Sequence, residues 1–88
     1  MLPLKGVFIE ERLRQLNELH VDIWHLHKKY YHLPEDGTEE EWEQLIDDYQ
    51  ALEKKYEQDP ELSEICIQLI KAVVKTIDDR HFKGKEIA

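Results

Sequence analysis

This sequence predicts an all-α fold: an antiparallel three-helix bundle in up-down-up order, formed as one domain over residues 1–88. Three observations lead there. Apolar residues recur at three- and four-residue spacing along three segments. The three Gly and three Pro fall where those segments end. The connections between the segments are short, which favours antiparallel neighbours.

The first helix is expected over about residues 7–32, after Pro3 and Gly6. Ile9, Leu13, Leu16, Leu19, Ile23, Leu26 and Tyr30 share one arc at 100° per residue, with Trp24 and Tyr31 at its edge. Glu10 and Glu11 lie near its start, and Lys28, Lys29 and His32 near its end, as the helix dipole favours. Leu33 precedes Pro34 and is therefore pushed out of the α region. Residues 33–38 carry turn chemistry in Pro34, Asp36 and Gly37.

The second helix is expected over about residues 39–58. Thr38 and Glu41 form an S/T-x-x-E capping box at its start. Trp42, Leu45, Tyr49, Leu52 and Tyr56 make a narrow seam on an otherwise charged rod, widened by Ile46. The pair Asp59-Pro60 reads as N-cap and first residue of the third helix, expected over residues 60–81 with a frayed tail at 83–88.

The third helix carries the most apolar circumference. Leu62, Ile65, Cys66, Leu69, Val73 and Ile77 form one stripe; Ile67, Ile70 and Val74 form a second. Together they cover about 200° of the helix, where a single core face needs about 100°. Either the helix is wedged deep between its two neighbours or a further chain covers the excess. Self-association through Ile67, Ile70 and Val74 is the expectation, and a homo-oligomer its consequence.

Charge narrows the function classes. Twenty acids against twelve bases leave a net charge of −8, which repels a nucleic-acid backbone. Positions 35–64 hold thirteen acids and two bases, whereas positions 65–77 hold no acid. A solvated acidic face is the plain reading. The sharper one is a docking face of Glu40, Glu43, Asp47 and Asp48 for a basic protein, or a mimic of DNA charge. Lys71, Lys75, Arg80, Lys83 and Lys85 gather modestly toward the C-terminus and could steer a partner copy's acids.

Catalytic and metal chemistry find little footing. One cysteine, Cys66, rules out an intramolecular disulfide and a Cys-based zinc site within one chain, and it lies in an apolar stripe. Ser63 is the only serine and no glycine-rich phosphate loop exists. His20 and His27 stand seven residues apart, as do His25 and His32, whereas helical metal pairs stand three or four apart. No cofactor is expected. No run approaches the ~20 apolar residues of a membrane span. The apolar stretch over residues 1–9 is too short for a secretory signal and is broken by Glu10 and Glu11, so the expected location is cytoplasmic.

Two resemblances bear on function. Glu39-Glu40-Glu41-Trp42-Glu43 contains an E-E-x-x-E string that resembles part of the magnesium site of the all-helical nucleotide pyrophosphatases. That resemblance implies a hydrolase holding magnesium through Glu39, Glu40, Glu43, Glu61 and Glu64. The family's later E-x-x-D is here Glu61-x-x-Glu64, with Glu in place of Asp. Separately, the run Ile23-Trp24-His25-Leu26-His27-Lys28-Lys29-Tyr30-Tyr31, with Trp42 and Lys54-Lys55-Tyr56, is similar to small uncharacterised helical proteins of prophages and mobile elements in Gram-positive bacteria. It implies a small accessory protein and carries over no catalytic residue. The leading expectation is a non-enzymatic interaction protein.

Overall fold

The computed structural model describes the backbone of residues 2–87 and the side chains of residues 9–81. The chain is helical, with no strand among the described residues. Three long helices, α1 (Leu2–Tyr30), α3 (Glu39–Tyr56) and α4 (Pro60–Ile87), are joined through a one-turn helix, α2 (Leu33–Asp36). The extents, 61 × 21 × 17 Å, are those of a rod.

Local chemistry accounts for most helix ends. The Thr38 hydroxyl accepts from the Glu41 backbone N–H at 3.2 Å, and the Glu41 carboxylate accepts from the Thr38 N–H at 3.2 Å. This is the expected capping box. Asp59 caps α4: its Oδ1 accepts from the backbone N–H groups of Glu61 (3.1 Å) and Leu62 (3.2 Å). Pro60 follows as the first helical residue, where a missing N–H costs nothing.

Other ends differ from the sequence expectation. α1 begins at Leu2, because Pro3 is tolerated in a first turn. α4 continues to Ile87 in place of a tail frayed from residue 83. Gly84 within it costs about 1 kcal/mol relative to Ala, too little to stop a helix by itself. The side chains of Lys83 and Lys85, and Ala88 entirely, lie outside the described residues.

The expected turn at 33–38 is more ordered than its composition suggests. The N–H groups of Glu35 and Asp36 donate to the His32 carbonyl at 3.0 and 3.1 Å, and Pro34 occupies the first turn of α2, where it loses no bond. Gly37 then donates to the Leu33 carbonyl at 3.0 Å. A Cβ on Gly37 would fall 2.7 Å from that carbonyl oxygen, so glycine is required by close approach. This geometry drives Leu33 into the core at 1% exposure.

The core joins all four elements: Leu19, Ile23, Leu26 and Tyr30 of α1, Leu33 of α2, Leu45 and Tyr56 of α3, and Leu62, Cys66, Ile70, Val73 and Ile77 of α4. α4 packs against α1, α2 and α3 alike. Much of its broad apolar surface is therefore absorbed within the chain.

Polar contacts set the register. Lys55 donates to Asp22 (2.8 Å) and Glu18 (3.2 Å), Lys29 to Asp48 (2.9 Å), and His32 bonds Glu41. These pairs ascend α1 as they descend α3. Arg12 pairs with Asp59 at 2.7 Å and Arg80 reaches the Tyr31 carbonyl at 3.0 Å, so α1 and α4 ascend together. Exposed ion pairs contribute only about 0–1 kcal/mol each, against about 1.5–3 kcal/mol for each fully buried aliphatic side chain. The core holds the fold and the ion pairs align it.

Candidate functional site

A groove of about 670 Å³ runs between α3 and α4. Tyr49 and Glu53 line it from α3; Ile67, Ile70, Lys71, Val74, Lys75, Asp78 and Asp79 line it from α4. All three residues expected at an oligomer interface thus meet in one place, but they do not play one role. Ile70 is 4% exposed and belongs to the core. The chain's own helices enclose it, and it forms the groove floor. Ile67 and Val74 are half-buried and form the apolar wall that solvent reaches.

The rim of this groove is charged with both signs. Among the described residues, no ion pair within the chain engages Glu53, Lys71, Lys75, Asp78 or Asp79, whereas Arg12, Lys29, Lys55 and Arg80 are each paired.

The expected acidic docking face divides. Glu40, Glu43 and Asp47 are exposed on the outer side of α3. Asp48 is instead turned toward α1, half-buried, accepting from the Tyr30 hydroxyl and the Lys29 ammonium. The Tyr30 bond, ahead of the opposing effect of burial, holds its carboxyl below the usual carboxylate range. Its bonds to Tyr30 and Lys29 join α3 to α1.

The five carboxylates of the pyrophosphatase-like set do not converge. Glu39, Glu40 and Glu43 sit at the start of α3, the end where Trp42 meets His81 of α4 with ring centroids 5.4 Å apart. Glu61 and Glu64 sit at the start of α4, where Glu61 pairs with Arg12 at 3.3 Å. The rise along α4 from Glu61 to His81 is roughly 30 Å. Among the described residues no group of three His, Cys, Asp or Glu side chains could hold a metal ion. Among the described residues no helix is long and apolar enough to cross a membrane.

The remaining reactive groups are spoken for. Cys66 is fully buried, and burial pushes its thiol up, away from the thiolate that nucleophilic chemistry needs. Asp22 is tied to Lys55 and to the Tyr56 hydroxyl at 2.6 Å. Burial pushes its carboxyl up, but the bonds from Lys55 and Tyr56 outweigh that and hold it below the usual range. The Tyr56 phenol is pushed up to about 12 by burial and then by Asp22. His20 Nδ1 donates to its own helix, at the Leu16 carbonyl.

His32 is the histidine whose environment matters most. Its Nε2 lies 2.5 Å from Glu41, which ties the end of α1 to the capping box of α3. The Glu41 contact holds the imidazole above its ordinary 6.5, and the same contact holds the Glu41 carboxyl below its ordinary 4.5. A raised histidine stabilises fully below its unfolded value and stops doing so as pH rises through its folded value. A lowered carboxylate stabilises above its unfolded value and stops as pH falls through its folded value. The junction is therefore tightest between about pH 4.5 and 6.5 and loosens above the folded value of His32. NMR titration should place the His32 midpoint above 6.5, and Glu41→Gln should return it toward 6.5. An identical midpoint in both proteins would contradict this.

A second surface lies on α1. Trp24 (57% exposed) and Tyr31 (55% exposed) flank His27, with ring centroids 6.3 and 5.9 Å from it. Lys28 lies over Trp24 at 5.8 Å, and the Arg80 guanidinium stacks 3.9 Å above the Tyr31 ring while binding Glu35. Both stand at the edge of the apolar arc of α1, where solvent reaches them. Ile9 and Leu13 are exposed as well, which periodicity did not show. They lie near Arg12, level with the start of α4, and beyond the end of α3, which comes level with Glu18 and Asp22. No family model, curated protein or solved structure matches this chain.

Proposed function

We propose that this chain is a non-enzymatic interaction protein, an up-down-up antiparallel three-helix bundle that self-associates through α4. One observation carries the reading. The α3–α4 groove keeps Ile67 and Val74 partly open to solvent above a buried Ile70, and among the described residues its rim charges make no ion pair within the chain. A hydrophobic floor between two helices is what a further helix fills in helix-in-groove recognition. The order of the α1–α3 and α1–α4 pairings supports the up-down-up path. The separation of the two carboxylate sets gives the hydrolase reading no comparable support.

Ile67→Asp tests the proposal, because it places a charge on the groove wall without touching the core. Light scattering should show the variant at the monomer mass of 10.6 kDa, with its helical circular dichroism kept. A variant that keeps the mass of a wild-type oligomer would refute the assignment of this groove.

A further inference from the structure

The proposed self-association has a definite geometry written in the charge order along α4. Ile67, Lys71, Val74 and Asp78 follow one another at spacings of four, three and four and so share one stripe of the helix. All four line the groove. Lys71 and Asp78 are exposed at equal distances either side of a point between Val74 and Lys75. A closed two-fold interface requires that residue i meet residue j while j meets i. An axis through that point satisfies this, since it exchanges position 71 with position 78.

Resting on the self-association reading, we infer that the occupant of the groove is a second copy of this chain, its α4 antiparallel to the first about an axis beside Val74. Lys71 of each copy then faces the partner's Asp78, and Val74 packs against the aliphatic stem of the partner's Lys75. The reverse, parallel alignment sets Lys71 against the partner's Lys71 and Asp78 against the partner's Asp78. Like charges in apposition exclude it. An acidic peptide would satisfy only the lysines of the rim, and a basic peptide only the acids. A second copy satisfies both, because Lys71 and Asp78 exchange places about the axis.

Charge exchange tests the geometry. Lys71→Asp creates two like-charge contacts per dimer with Asp78, and Asp78→Lys creates two with Lys71. Each single variant should weaken dimerisation by about tenfold or more by sedimentation equilibrium. The double variant restores opposite charges across the axis and should return to within about threefold of wild type. Both positions are exposed, so the fold is kept, and circular dichroism verifies it. Singles that weaken with no recovery in the double, or singles without effect on an associating protein, overturn this docking geometry and leave self-association standing. A wild-type protein that stays at 10.6 kDa overturns both.

Discussion

Replacing Leu33 with alanine should lower the unfolding free energy by about 2–5 kcal/mol, the range for emptying a well-packed leucine site. Leu33 lies at 1% exposure where α2 meets α4, in a segment whose composition reads as a turn. Its neighbours have little freedom to collapse on the cavity. α2 is closed by backbone bonds to His32 and Leu33, and Gly37 already stands against Leu33. An 88-residue domain has about 4–13 kcal/mol of stability in all. The variant should therefore show a midpoint in urea far below that of wild type, followed by circular dichroism. A midpoint within the scatter of surface substitutions would show that α2 does not seal the core.

Ile70→Asp should be more damaging still. The change removes an aliphatic side chain at 4% exposure and puts a carboxylate where the chain's own helices enclose the site. Loss of the burial and a desolvated charge together amount to about 4 kcal/mol or more, comparable to the whole stability of a small domain. Far-UV circular dichroism should report a largely unfolded chain. The contrast with Ile67→Asp is instructive because the same residue type is lost three positions away. Ile67 lies on the wall, so its variant should fold and fail to associate. Ile70 lies on the floor, so its variant should fail to fold. A folded, monomeric Ile70→Asp would mean that the floor is open and the core assignment wrong.

What was legible in the sequence was what depends on neighbours in the chain. Thr38 and Glu41 form a capping box, and Asp59-Pro60 a helix start, through bonds spanning two or three residues, so composition alone sufficed. The three long helices follow from periodicity for the same reason. Leu33 escaped because the residue before proline is ordinarily extended, and only the bonds from Glu35 and Asp36 to the His32 carbonyl turn the segment into a helix. Periodicity also placed Ile67, Ile70 and Val74 on one side of their helix. It gives an angle around an axis, not the distance to the next helix, and so could not tell the floor from the wall. Asp48 shows the same limit: its acidity was visible, but its turn toward Tyr30 and Lys29 depends on how α1 and α3 lie together. Ile9 and Leu13 join the apolar arc, yet where α3 ends alongside α1 is decided by packing along the whole interface.

The groove between α3 and α4 is the one candidate site in which sequence pattern and geometry coincide. Its apolar lining is modest, and its rim is charged: Lys71 and Lys75 are followed along α4 by Asp78 and Asp79, and Glu53 faces them from α3. In the proposed dimer, burial of Ile67 and Val74 supplies the attraction, and the charges choose the partner and its direction.

The mass of the wild-type chain in solution, followed by sedimentation equilibrium through a dilution series, tests this account most directly. A dimer that dissociates toward 10.6 kDa on dilution is the predicted result. A single species of 10.6 kDa at every concentration would contradict it.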